Sequence, residues 1–349
     1  MSGLSAAAMI TGINGQDGSY LAELLLAKGY QVYGLVRRSS QPNMARLTGC
    51  VHHPSLHITY GDLGDASTLH RMVDAILARH GGRVEVYNLA AQSHVGVSFD
   101  APLYTAQVDA VSPLALLEAI RTLDSDKRCR FYQASTSELY GKVVETPQCE
   151  TTPFNPQSPY AIAKEFAFSI TKLYREAYGM FAVNGILFNH ESERRGHEFL
   201  TRKVSLGVAA ISKGRQSHLE VGNLNAKRDW GYAPEYVDLM WRMLQEEEPG
   251  DFVAATGKTH TVRYCIEKAF EVVGVRLVWS GEGVDEVGRD AESGKLLVKV
   301  NPVFFRPAEV DLLLGDYSKA QTKLGWSPTL SFEDIISKMV QNDLEGGYW

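Results

Sequence analysis

Apolar and polar positions along the chain follow two rhythms. Short apolar runs at residues 6–10, 31–36, 56–60, 84–90, 130–134 and 182–187 read as buried strands. Between them, residues 20–28, 68–79, 112–123 and 161–178 space their apolar side chains three and four apart, which predicts helices, and Gly29 closes the first. Strand and helix alternate through the first half of the chain. That order predicts an α/β fold with a parallel sheet covered by helices on both faces, a doubly wound arrangement. Residues 251–255 read as one more buried strand, and residues 332–344 as a last helix.

After Asn189 the rhythm is less regular, with glycine- and asparagine-containing loops and a polar stretch over residues 282–295. This predicts a smaller, discontinuous C-terminal α/β domain for substrate, made of residues 189–229 and 258–349. Residues 1–188, with about 230–257, would form the first, dinucleotide-binding domain. A length of 349 residues agrees with two domains.

Composition narrows the class. Hydrophobic residues at 44% and charged residues at 22% fit an ordinary globular protein rather than a disordered or fibrous one. The net charge of -6, with both signs mixed along the chain, lacks the broad basic surface that general nucleic-acid binding needs. It leaves room for a local basic pocket. Cys50, Cys129, Cys149 and Cys265 form no CxxC pair, so neither a disulfide framework nor a metal site is expected, and four reduced thiols fit a cytoplasmic protein. No apolar run is long enough to span a bilayer. Residues 1–10 have no positive leader and run directly into a glycine motif, so they read as a first strand rather than a signal peptide.

That motif is Gly12, Gly15 and Gly18, with Gln16 and Asp17 inside it, between the first strand and the first helix. Glycines there permit a tight turn and let the backbone approach a diphosphate, while the helix start offers free N–H groups to the anion. Three glycines also suit a plain turn. Their place between strand and helix favours a Rossmann-type dinucleotide site. An NAD site carries an acid after the second strand, for the ribose 2′-hydroxyl. Here Arg37, Arg38 and Ser39 stand instead, and guanidinium groups suit a 2′-phosphate. NADP is therefore the predicted cofactor. Asp62 and Leu63, after the third strand, are placed for the adenine, and Leu89, Ala90 and Ala91, after the fourth, are small where the cofactor must pass.

Tyr160 and Lys164 form a YxxxK pair behind Ser158-Pro159, which reads as a helix cap followed by proline at the first helical position. Residues four apart share a helix face. Lys164 is thus placed to favour the Tyr160 phenolate and to bond the nicotinamide ribose, while the phenolate removes a sugar hydroxyl proton. Taken alone, the pair also fits a helix with one buried aromatic and one exposed lysine. The fifth strand ends in Ser135-Thr136-Ser137-Glu138. Thr136 is placed to hold the reacting hydroxyl. Glu138 adds a carboxylate that a hydride-only enzyme does not need and a dehydrating one does. Alone, Glu138 reads equally as a capping or salt-bridged residue.

Together these residues resemble the extended short-chain dehydrogenase/reductase superfamily, in its sugar-nucleotide branch. Within it, Thr136-Ser137-Glu138 is similar to the GDP-mannose 4,6-dehydratases. The dTDP-glucose dehydratases carry Asp where Ser137 stands, and epimerases lack the glutamate. Residues 88–95 (NLAAQSHV), 187–192 (LFNHES), 228–231 (RDWG) and 305–311 (FRPAEVD) resemble blocks of the same family, so the likeness runs along nearly the whole chain. It implies that Leu187, Asn189, His190 and Arg195 join the cofactor site. It implies further that Ser93, Ser137, Asn189, Lys203, Arg228, Arg306 and Glu309 hold a GDP-sugar, and that the segment 37–46 reaches a neighbouring subunit in a homodimer or homotetramer. The implied reaction is loss of water from GDP-mannose, Tyr160 and then Glu138 moving the protons, with later reduction of the 4-keto product to GDP-rhamnose as an open second activity. Glu193, His197 and Tyr232 depart from the family's usual Pro, acid and His, and none is a proposed catalytic group. The competing readings are another sugar-nucleotide dehydratase or epimerase, and a non-catalytic NADP-binding regulator, which would be expected to have lost Tyr160 or Lys164.

Overall fold

The computed structural model describes residues 6–40, 43–304 and 312–347. The first six apolar runs form β1 (Ala7–Thr11), β2 (Gln31–Val36), β3 (Leu56–Tyr60), β4 (Val84–Asn88), β5 (Cys129–Thr136) and β6 (Phe181–Leu187). Four short strands follow, β7 (Asn189–Glu191), β8 (Leu219–Val221), β9 (Lys227–Arg228) and β10 (Trp230–Tyr232), and then β11 (Asp251–Ala254). β11 joins the first six in one seven-stranded sheet of order β11-β6-β5-β4-β1-β2-β3. Every pairing in it is parallel. The winding reverses between β1 and β4, and open α/β sheets bind ligands beyond the carboxyl ends of strands at such a point. The Thr11 hydroxyl bridges it, donating to Asn88 Oδ1 at 2.8 Å and accepting from the Leu89 and Ala90 N–H groups at 3.1 Å.

Strand alternation sends successive β1 side chains into two cores. Ala8 and Ile10 pack with Leu21 and Leu25 of α1 (Gln16–Ala27). Ala7 and Met9 pack with Leu69 and Val73 of α2 (Ala66–Arg79). Two short helices, α3 (Val95–Asp100) and α4 (Pro102–Ala106), run through a π-turn at Gln107–Val111 into α5 (Ser112–Leu123), whose Leu116 and Ile120 join the α2 side. α6 (Pro159–Tyr178) opens as predicted: Ser158 accepts from the Ala161 N–H at 3.1 Å, Pro159 takes the first turn, and Gly179 closes the helix at φ +61°.

The remaining helices are α7 (Leu200–Ser212), α8 (Ala233–Met243), α9 (Val262–Glu271), α10 (Ser318–Leu324) and α11 (Phe332–Glu345). α8 and α10 pack on the α1 side of the large sheet through Met240, Ala320 and Leu324. A separate core joins Val208 of α7, Ile266 of α9 and Ile336 of α11 to a second sheet. That sheet runs β13 (Leu277–Ser280), β14 (Val287–Asp290), β15 (Leu296–Val300), β8. β12 (His260–Thr261) pairs with β9, and β10 with β7. Among the described residues no helix is long and apolar enough to cross a membrane, and no cluster of His, Cys, Asp and Glu is arranged to hold a metal ion. All four cysteines are free thiols.

Candidate active site

The glycine loop is shaped by what surrounds it. Gly12 leaves β1 at φ +69°, and a Cβ there would sit 2.8 Å from Ala90 Cα. Only glycine fits both the backbone angle and the gap. A Cβ on Gly15 would meet nothing within 4 Å but the Gly12 carbonyl, at 3.1 Å. It would fill space that the loop leaves open. α1 starts at the next residue with no side-chain cap, so its first-turn N–H groups remain for an anion. The diphosphate of a dinucleotide fits this cradle.

The cradle opens into a cavity of about 710 Å³. Gly12, Gly15, Gln16, Asp17 and Gly18 form its floor, with Arg37 and Ser39 after β2 and Asp62 and Leu63 after β3. Leu89, Ala90, Ala91 and Ser93 follow β4 along it. Thr136, Glu138, Tyr160 and Lys164 make one wall, and Leu187, Asn189, His190 and Arg195 line it as well. Four expected residues lie outside the wall. Arg38 is exposed beside Arg37. Ser137 is buried under the turn after β5, and its hydroxyl has no partner among the described residues. Lys203 on α7 holds its ammonium 3.4 Å above the Phe304 ring, a cation–π contact that draws it aside. Arg228 is buried in β9, donating to the Lys227 carbonyl at 2.9 Å. Arg306 and Glu309 lie outside the described residues.

At the reacting wall, Lys164 is almost fully buried and donates to the Ala134 carbonyl at 2.9 Å, with its nitrogen 5.9 Å from the Tyr160 ring centre. Burial pushes the Lys164 ammonium below its ordinary range, against the pull of Asp109. Burial raises the Tyr160 phenol, Asp109 and Glu138 add to the rise, and a hydrogen bond with Thr136 and the charge of Arg195 oppose it. The expected lowering by Lys164 is not among these influences: the lysine is engaged with a backbone carbonyl, and desolvation dominates at Tyr160.

Sequence reasoning missed two residues here. Asp109, in the π-turn before α5, is 1% exposed. Its Oδ1 accepts from the Gln92 N–H at 2.8 Å, while Oδ2 has no partner among the described residues. A lone carboxylate inside the apolar run Val108–Val111 was the available signal. Tyr104 lines the cavity and accepts from Arg37 Nη1 at 2.7 Å, steadying the guanidinium. Arg46, read only as part of a subunit loop, also lines it and donates to the carbonyls of Arg194 and Asn14 at 2.7 and 3.4 Å. Two departures from the family pattern meet each other: Glu193 accepts from the hydroxyls of Tyr232, at 3.4 Å, and Tyr20, at 3.2 Å.

The reversal of winding, the glycine cradle and the Thr136, Tyr160 and Lys164 wall define a Rossmann-type protein of the short-chain dehydrogenase/reductase class. Among solved structures, the dTDP-glucose 4,6-dehydratase DesIV of Streptomyces venezuelae, with NAD and TYD bound, superposes with a TM-score of 0.80 at 22% identity, over 96% of each chain. The family profile described as GDP-mannose 4,6 dehydratase matches residues 9–339. The GDP-mannose 4,6 dehydratase of Drosophila melanogaster is 53% identical over 97% of this chain and 86% of its own length. That of Vibrio cholerae is 52% identical over 97% and 94%. The chain belongs to the GDP-mannose 4,6-dehydratase family.

Proposed function

We propose that this protein converts GDP-mannose to GDP-4-keto-6-deoxymannose, with NADP as its cofactor. The observation that carries the proposal is a carboxylate, Glu138, on the same cavity wall as Thr136, Tyr160 and Lys164. A simple dehydrogenase has no use for that carboxylate. The preference for NADP rests on Arg37, braced by Tyr104, and Ser39 where an acid would stand for NAD. When bound, the cofactor supplies a ring that accepts a hydride and later returns it, and a positive charge that favours the neighbouring phenolate.

The chain's own residues then move protons. Thr136 holds the C4 hydroxyl and Tyr160 takes its proton, while Lys164 steadies the ribose and favours the phenolate. The C4 ketone acidifies the C5 proton. Glu138 takes that proton and gives it to the C6 hydroxyl, which leaves as water. A proton returns to C5, and no external reductant is consumed. Asn189 and Ser93, on the cavity wall, are assigned to the GDP-sugar with Arg306 and Glu309, while Ser137, Lys203 and Arg228 stand off that wall. The large sheet with its two cores serves the cofactor, and the separate core of α7, α9 and α11 with its sheet serves the sugar nucleotide. Free thiols at all four cysteines accord with a cytoplasmic setting. A second copy of the chain is assigned to the outer faces of α4, of the π-turn that follows it and of α6, where Leu103, Val111, Ile162, Phe166 and Leu173 are exposed.

The test is incubation of the purified protein with GDP-mannose, without and then with added NADP, read by mass spectrometry. Loss of one water from GDP-mannose and none from dTDP-glucose is expected. Glu138→Gln should stop the loss of water by a factor of about 100 or more. Full turnover by that variant would remove Glu138 from the mechanism.

A further inference from the structure

A buried histidine and a carboxylate meet beside the glycine cradle. His190, in β7, is 7% exposed. Its Nδ1 lies 2.8 Å from the Phe188 carbonyl oxygen, which can only accept, so Nδ1 carries a hydrogen. Its Nε2 lies 2.8 Å from Asp17 Oδ2. Two lone pairs cannot face each other there, so one more proton sits between these atoms, on whichever of them holds it. Gln16 fixes the geometry. Its Nε2 donates to Asp17 Oδ1 at 3.0 Å and to the His190 carbonyl at 3.1 Å, and its Oε1 accepts from Ser192 at 2.8 Å.

Asp17 is the second residue of α1, in the turn whose N–H groups form the anion cradle. A bare carboxylate there would repel a diphosphate at the same helix start. We propose that His190 is a positioning residue whose shared proton cancels the charge of Asp17, so that the start of α1 can hold the cofactor diphosphate. The proposal rests on the cofactor site described above. With its proton the pair is neutral; without it the pair carries one negative charge.

The neighbouring groups act on the shared proton in both directions. Burial works against charge on both partners. The charge and hydrogen bond of His190 nonetheless hold Asp17 below its ordinary value, with help from Gln16 and Arg195. Asp17 in turn holds His190 above its own, although Arg195 pulls it down. From the other packed elements the pair is faced by the Tyr132 phenol of β5, which Asp17 helps keep protonated, and by the Tyr236 ring of α8, stacked 4.6 Å from the imidazole. The proton is therefore lost only above the ordinary histidine range, and cofactor affinity falls as it goes.

The experiment is calorimetric titration of NADP into the full chain, freed of co-purified nucleotide, from about pH 7 to about pH 9.5, a window in which histidine is the side chain whose loss of charge is sought. Wild type should bind more weakly as pH rises. His190→Gln, which leaves the Asp17 charge bare, should bind roughly ten- to a hundredfold more weakly at neutral pH and lose the pH dependence. Adding Asp17→Asn should restore affinity to within a few-fold of wild type. Restoration separates charge from structure, because the double variant is further from the native contacts than the single one. A wild-type affinity indifferent to pH, or a double variant as weak as His190→Gln, overturns the role of the pair alone. A wild type that binds no NADP overturns the cofactor site and this role with it.

Discussion

Asp109 carries an energetic cost that its surroundings only partly offset. Burial pushes its carboxyl up to about 6, while Lys164 and the Gln92 N–H pull the other way. An acid raised above its unfolded value binds a proton more tightly in the folded state. Stability therefore falls as pH rises from the ordinary carboxylate range through about 6. Asp109→Asn should stabilise the fold at pH 7.5 relative to wild type, on the order of 2 kcal/mol, and the gain should vanish near pH 4. Urea unfolding at both pH values measures it; a difference independent of pH would contradict the burial account. Thr136, Glu138, Tyr160 and Lys164 were legible in the sequence because their spacing from strand and helix ends is itself the signal. Asp109 was not, because it reaches the site through a π-turn that no periodicity announces. The positions of Ser137 and Lys203 escaped for a related reason: side-chain direction is set by tertiary neighbours, such as Phe304, rather than by local pattern.

Elements with strong apolar contrast were read to within a few residues. β2 and β3 match the expected bounds, and α6 begins two residues earlier than its apolar pattern because Ser158 and Pro159 cap and start it. α3 and α4 are too short to show a period, and β13 and β14 of the second sheet are half-exposed, so their apolar contrast is weak. α6 has a second face that the fold leaves open. Ile162, Phe166 and Leu173 recur along it at helical spacing, opposite Tyr160 and Lys164, which are buried. A double variant Phe166→Lys, Leu173→Lys should halve the molar mass measured by light scattering and leave the far-ultraviolet spectrum unchanged, because both side chains are exposed in the single chain. An unchanged mass would place the subunit contact elsewhere.

For the molecule as a whole, alternation of strand and helix foretold the parallel sheet, but not its strand order or the packing of α10 against it. Those depend on chain crossings that local sequence does not encode. The order matters for function, since the reversal between β1 and β4 sets the glycine cradle and the Tyr160 wall on one cavity. An enzyme built this way should pass a hydride within a single substrate molecule, from C4 to C6, without exchange with solvent. GDP-mannose carrying deuterium at C4 decides the matter. The product, examined by NMR and mass spectrometry, should retain that deuterium and carry it at C6. Deuterium lost to water, or left at C4 in a dehydrated product, would contradict the internal redox cycle.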